Sequence, residues 1–246
     1  MVRQLGNKAI SIVEIVKKIT KYAVKITDPT LLVYHIEKAL YLCQEGRQGP
    51  CWLDIPIDIQ GLMLDESTLT KFKDGKESIP SLESLEGKLY SLTEYLKNAS
   101  RPVLLVGSGV RSAGAIEELE QLLNELRLPV LVSRRGADLV SDKTPLFFGR
   151  PGAYGQRSAN FVLQNCDLLI CVGSRLSTPL IGRNTAAFTR GAKKVVIDID
   201  KNELTKGTID IDLAIQCDAK VFLRELLKNK LDSLSSWSEW IKKCKN

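Results

Sequence analysis

A chain of 246 residues that is 44% hydrophobic has room for one large α/β domain, or one domain and part of a second, and can bury a sizeable core. Its 35 basic and 29 acidic residues leave a net charge of +6, but the basic residues are scattered apart from Lys17-Lys18-Lys21 and Lys242-Lys243-Lys245, so no nucleic-acid partner is expected. No apolar run approaches the ~18 residues of a membrane span, and MVRQLGNKAI has no signal-peptide core, so no membrane association and a cytoplasmic location are expected.

In chain order, the first clear element is TDPTLLVYHIEKALYLCQEG. Asp28 precedes a first-turn proline, apolar residues recur at Leu32, Ile36, Ala39, Leu40 and Cys43, and Gly46 closes it, which together predict a capped amphipathic helix. The run GPCWLDIPIDIQG then predicts a strand over Cys51–Ile55, ended by Pro56 and Asp58. One helix and one strand cannot close a core, so residues 1–61 must pack on something else. Residues 62–80 are polar, carry Gly75 and Pro80, and read as a linker. A helix follows from Ser81, with leucines at 82, 85, 89, 92 and 96 on one stripe.

From Arg101 onward, buried strands alternate with amphipathic helices. Strands are predicted at Val103–Val106, Val130–Val132, Leu146–Phe148, Leu168–Val172, Val195–Ile199 and Leu213–Gln216, with a helix over AGAIEELEQLLNELRLP between the first two. Continuously apolar strands joined by helices mean a parallel sheet covered on both faces. The expected fold over 81–228 is therefore a doubly wound, mostly parallel six-stranded α/β sheet, Rossmann-like in plan. Residues 229–246, polar and Ser-rich with two tryptophans, read as the start of a second linker.

Ligands of such sheets bind outside the carboxyl ends of the strands. After the first strand, VGSGVRSAG offers Gly107 and Gly109 for close backbone approach to a phosphate and a helix start near Ser112, though Ser112 stands where a GxGxxG fingerprint has its third glycine. The second strand ends in Ser133-Arg134-Arg135 rather than in an acidic ribose ligand, which disfavours NAD and leaves NADP open. GRPGAYGQRSAN supplies Gly149, Gly152 and Gly155, Arg175 follows the next strand, and Asp198 and Asp200 follow the one after. Glycine backbones, arginines and carboxylates at one sheet edge suit a dinucleotide with an adenine end. Each feature also has a plainer role: a tight turn for the glycines, a surface ion pair for Arg175, a helix cap for Asp198 or Asp200.

Other chemistry is poorly supplied. The single histidine, His35, has no partner at metal-ligand spacing and reads as a surface residue; GxSxG and a Walker A lysine are absent from the sequence. The six cysteines lack CxxC spacing and mostly sit in apolar runs such as LQNCDLLICVG, as buried free thiols of a reducing compartment do.

GPCWLDIPIDIQG is similar to the stretch that ends the pyrimidine-binding domain of thiamine-diphosphate enzymes of the acetolactate synthase type. PLFFGRPGAYGQRSANFVLQNCDLLICVGSRL followed by AKKVVIDIDKNEL resembles their central domain, and RQLGNKAISIVEIVKKITKYAVKITDP the region before the last helix and strand of the first domain. The resemblance implies an internal piece of a protein more than twice as long, with residues 1–61 closing the first domain and 81–228 forming the central one. It implies a parent that binds thiamine diphosphate and Mg2+, decarboxylates a 2-oxo acid such as pyruvate and joins the remaining fragment to a second carbonyl compound, as a transferase working in a homo-oligomer, dimer or tetramer.

In the family, the glutamate that activates the cofactor lies in a part of the first domain not matched here, and a GDG block of the third domain holds the metal and diphosphate. No GDG occurs in this sequence, the nearest string being Lys73-Asp74-Gly75, so the chain alone is expected to be inactive and to need the parent's other domains as partners. The central domain of relatives holds FAD, ADP or nothing. Carried over position by position, its cofactor-binding residues here would be Gly107, Gly109, Gly149, Gly152, Gly155, Arg175, Asp198, Asp200 and Asp218. The chain departs from FAD-binding synthases at Tyr154, where they have histidine, and at Leu176-Ser177-Thr178-Pro179, where they have an aspartate pair. The alternative is a stand-alone nucleotide-binding or regulatory module without thiamine chemistry.

Overall fold

The computed structural model describes residue 6 and residues 10–73, 82–229 and 237–245, and the chain divides into two compact units, 1–77 and 78–246.

In the first unit, helix α1 (Ile12–Val16) leads to strand β1 (Tyr22–Lys25), and helix α2 (Leu32–Gln44) carries the chain over to strand β2 (Cys51–Asp54). The strands pair in parallel from Tyr22↔Cys51 to Lys25↔Asp54, which makes the unit a β-α-β crossover closed by the short helix α3 (Ile57–Gln60). Asp28 caps a 3-10 turn at Pro29–Leu31 by accepting from the Thr30 N–H at 2.9 Å, and α2 grows from that turn. α1 and β1 are elements the sequence reading lacks: IVEIV is a single short turn of helix, and YAVK is a strand only through its pairing with β2.

His35 is not a bare surface residue. It is half-buried, its Nδ1 lies 2.6 Å from the Tyr22 hydroxyl, and Tyr34 meets its ring edge-on. Part of the expected linker also belongs to this unit. The Thr70 N–H donates to the Thr30 carbonyl at 3.0 Å and that of Phe72 to Glu37 Oε2 at 2.8 Å, and Phe72 packs on Tyr34 and Tyr41. Residues 74–80 of that linker, with Asp74 and Gly75, lie outside the described residues.

The second unit holds a five-stranded, wholly parallel sheet in the order β4-β3-β5-β6-β7, with β3 Pro102–Val106, β4 Val130–Val132, β5 Leu168–Val172, β6 Lys193–Asp198 and β7 Leu213–Gln216. Every residue of β3, β4 and β5 is buried, so neither sheet face is left to water. This is the doubly wound α/β architecture expected, with one strand fewer. Leu146–Phe148 forms a single parallel bridge, Val130↔Phe147, beside β4. Pro145 brings no N–H to it, and Gly149 at φ +98° turns the chain away after Phe148.

Helices cover the sheet as their apolar stripes dictate. Helix α4 (Leu82–Asn98) buries Leu85, Leu89, Leu92 and Leu96 at spacings of three and four. After a turn of helix α5 (Gly109–Ser112), helix α6 (Ile116–Leu126) packs on helix α10 (Ala219–Lys228), where Phe222 is fully buried. Glu118 of α6 accepts from Arg224 of α10 at 2.9 Å and lies 3.6 Å from Lys220.

The tail differs from the linker expected over 229–246. Residues Ser238–Lys245 form helix α11, and Trp237 and Trp240 are buried, their indole N–H groups donating to the Ala99 and Pro102 carbonyls at 2.9 and 3.1 Å. A polar stretch with two tryptophans resembles a linker until a hydrophobic groove and two free carbonyls are there to receive them. Residues 230–236 lie outside the described residues.

Candidate functional site at the carboxyl edge of the sheet

Numbered within the unit, the sheet order is 2-1-3-4-5, so the topological switch point lies between β3 and β5. Val106 and Val172 are paired in register, which sets Gly107 and Gly173 side by side as the two chains leave the sheet. The Gly107 N–H donates to the Val172 carbonyl at 2.9 Å and that of Gly109 to the Gly173 carbonyl at 3.0 Å. A Cβ on Gly109 would lie 2.7 Å from the Gly173 Cα, and one on Gly107 2.6 Å from the Ser174 Cα. These glycines are therefore required by the meeting of two backbones. Gly173, at φ +59°, is as necessary as the pair read from the sequence. Its equivalence to Gly107 was available only through strand register.

The helix after β3 starts at Gly109, not near Ser112, and α5 is a single turn. Its Arg111 pairs with Asp138 at 2.7 Å, while Arg134 and Arg135, after β4, are exposed.

The third loop is folded on itself by two side chains. Asn160 of helix α7 (Arg157–Asn165) bonds both backbone groups of Gly152, accepting at 2.8 Å and donating at 3.1 Å. Gln156 Oε1 accepts from the Arg150 N–H at 2.7 Å. Gly152, at φ +116°, also sits where a Cβ would come 2.7 Å from the Pro179 carbonyl oxygen of the short helix α8 (Thr178–Ile181). The Gly149 carbonyl accepts from Val132 at 3.1 Å and the Gly155 N–H donates to the Gly152 carbonyl at 3.0 Å. Tyr154, before the last glycine of this loop, is 85% exposed.

Arg175 leaves the end of β5 with its side chain 64% exposed and its Nε bonded to Glu203 at 2.8 Å. Glu203, buried on helix α9 (Lys201–Thr205), also takes Lys206 at 2.7 Å, and Lys206 donates in turn to the Arg175 carbonyl. The sequence reading missed this triad because a lone glutamate on a short helix carries no motif. Leu176, with φ +48°, is buried and anchors the turn that presents Arg175.

The carboxylates are divided by role. Asp198 is buried at the end of β6 and accepts from the Asp200 N–H at 3.0 Å. Asp200 caps α9 through the Asn202 N–H at 2.9 Å, and Asp218 caps α10 through the Lys220 N–H at 2.8 Å. Burial, with Asp198 nearby, pushes the Cys171 thiol up to about 12, and burial pushes Cys166 up to about 12 as well, so neither is a nucleophile. Among the described residues no cluster of His, Cys, Asp and Glu is arranged to hold a metal ion.

The structure thus brings Gly107, Gly109 and Arg175 together at the switch point, sets Asp198 at the end of β6 with Asp200 just after it, and leaves the third-loop glycines bonded within the protein, Gly149 to Val132 of β4, Gly152 to Asn160 of α7 and Gly155 to Gly152. A family model described as "Thiamine pyrophosphate enzyme, central domain" matches residues 89–226, from within α4 to within α10 and across all five strands. The chain belongs to this family.

Acetolactate synthase large subunits are among the whole proteins to which the chain is similar. The chain is 30% identical to the probable acetolactate synthase large subunit of Methanococcus aeolicus over 96% of its own length and 42% of that protein's. It is 33% identical to the acetolactate synthase isozyme 1 large subunit of Escherichia coli over 83% of its length and 36% of that protein's. It therefore spans about two fifths of the curated relatives it matches. Among the described residues no helix is long and apolar enough to cross a membrane.

Proposed function

We propose that this chain is the central-domain portion of a thiamine-diphosphate-dependent, acetolactate-synthase-like enzyme that decarboxylates a 2-oxo acid and transfers the fragment to a second carbonyl compound. The observation that carries this reading is the coincidence of the matched residues 89–226 with the whole five-stranded sheet. In this reading thiamine diphosphate and Mg2+ are held by the other domains of the parent, and the enzyme works as a homo-oligomer in the cytoplasm. Six unbridged cysteines are in keeping with a reducing compartment.

The role of the second unit is to bind FAD or ADP outside the carboxyl ends of β3, β5 and β6. The glycine lock at the switch point shapes the floor, but its N–H groups are already given to protein carbonyls. Charge for a pyrophosphate then falls to Arg175 and to the exposed Arg134 and Arg135, with Asp198 and Asp200 left for ribose hydroxyls. A nucleotide phosphate would compete with Glu203 for Arg175.

The test is a titration of the purified chain with FAD and with ADP, followed by fluorescence and calorimetry, alongside an acetolactate assay with pyruvate, thiamine diphosphate, Mg2+ and FAD. Saturable binding weakened about 10-fold by Arg175→Ala, as loss of one charge-assisted contact implies, with no acetolactate formed, is the expected result. Acetolactate made by the chain alone overturns its expected inactivity, and no binding of either nucleotide overturns the nucleotide role.

A further inference from the structure

A concavity of a different kind lies elsewhere in the second unit. A groove of about 890 Å³ runs between α7 and α11 and reaches the amino ends of the strands, where Arg101, Cys166 and Arg190 precede β3, β5 and β6. Its floor is apolar, with Val162, Cys166 and Trp240 all buried. Its rim carries Arg101, Arg157, Arg190 and Lys243, and among the described residues that line it there is no carboxylate.

Among the described residues none of these four cations belongs to an ion pair. Asp167, next in sequence to Cys166, has its two oxygens on the backbone N–H groups of Ser100 and Arg101. Arg101 Nε is tied to the Asn165 carbonyl at 2.7 Å, which fixes that guanidinium at the rim. At the other end Arg157 lies 5.4 Å from the ring of Phe161, an aromatic residue 55% exposed in the lining. An exposed aromatic with an arginine over it is the pairing on which protein interfaces concentrate their affinity.

The spread of charge chooses the occupant. Arg157 opens α7 and Arg101 is bonded to Asn165 at its end, about 12 Å apart along the axis at 1.5 Å per residue. A phosphate or carboxylate needs donors converging on one point, whereas cations spread along an apolar trough match acids spread along a chain. A second copy of this chain would bring the same basic rim against itself in a two-fold contact. We propose that the groove between α7 and α11 docks an acidic amphipathic segment of a partner polypeptide, its apolar face on Phe161 and Trp240 and its carboxylates along the arginine rim.

The test uses the full chain and a fluorescein-labelled synthetic helical peptide with leucines and glutamates at i, i+3 and i+4 spacing, read by anisotropy. A second peptide carries glutamine for glutamate. Binding of the acidic peptide that strengthens at low salt is expected, with the Arg157→Gln, Arg190→Gln double variant weaker by about 10-fold and Phe161→Ala weaker by about 5-fold or more. All three side chains are exposed, so circular dichroism should be unchanged, and the Lys17→Gln, Lys18→Gln variant should bind as the parent does. Equal binding of the glutamine peptide, or equal loss in the lysine variant, overturns the proposal. So does absence of peptide binding, whether ADP or pyrophosphate proves to be the groove's ligand or sedimentation shows self-association that the arginine double variant abolishes.

Discussion

The two units spend their apolar residues differently. In the first, the buried apolar side chains among the described residues are Val16, Ile26, Ala39 and Ile59, while Ile19, Ile57 and Met63 are 73%, 85% and 99% exposed and Trp52, within β2, is 42% exposed. In the second, the buried residues form one contiguous cluster from Leu85 to Trp240. The two-stranded sheet of the first unit offers α1 and α2 only a narrow surface to bury, whereas five strands between helices leave none bare. The lesson is that the second unit carries the cooperative stability of the chain, and the first is the part whose surface is still apolar.

The largest effect that would break this contrast is in the second unit. Phe222→Ala, at a fully buried ring, should cost about 3–5 kcal/mol and shift the denaturant midpoint of the main unfolding transition while leaving hydrogen exchange in β1 and β2 unchanged. Protection lost equally in both units would mean that they unfold as one.

Next comes Gly107→Ala, whose methyl has no room against Gly173 and Ser174. It should destabilise by about 1–3 kcal/mol, as overpacking of a closed site does, even without any nucleotide present. Full stability with impaired FAD or ADP binding would instead make this glycine a ligand contact rather than a lock.

The smallest effect belongs to the first unit. Burial and the Lys38 cation both hold the His35 imidazole below its ordinary value of 6.5. Because the folded value is depressed, the contribution to stability is complete above 6.5 and is lost as pH falls through the lowered value. The single histidine gives one imidazole resonance, and its NMR titration should have a midpoint below 6.5. Protection factors in β1 and β2, corrected for the intrinsic pH dependence of amide exchange, should fall more steeply below pH 6.5 than in a His35→Gln variant. A midpoint at or above 6.5 would show that His35 is open to water.

Much of the second unit was legible because its signals are local. The stripe at Leu85, Leu89, Leu92 and Leu96, the apolar runs of β3, β5 and β6 and the glycines after β3 can be read within a dozen residues. What escaped depended on partners far along the chain. YAVK became β1 only beside CWLD, and SEWIKKCK became a docked helix only because Trp237 and Trp240 found carbonyls at Ala99 and Pro102. Leu146–Phe148, apolar enough to read as a strand, stopped at one bridge because a strand is defined by its pairing as well as by its composition.

The candidate site divides in the same way. Residue types and their place after strands were fixed by sequence alone: glycines at 107 and 109, Arg175 after β5, acids after β6 and β7. Only the tertiary structure decided what each is bound to. Strand register faced Gly107 with Gly173, helix phase turned Asp200 and Asp218 into N-caps, and a glutamate without a motif, Glu203, came to hold both Arg175 and Lys206. Periodicity and backbone chemistry act within a few residues and so survive in the sequence, whereas the choice of hydrogen-bond partner is made by packing, after distant segments have been brought together.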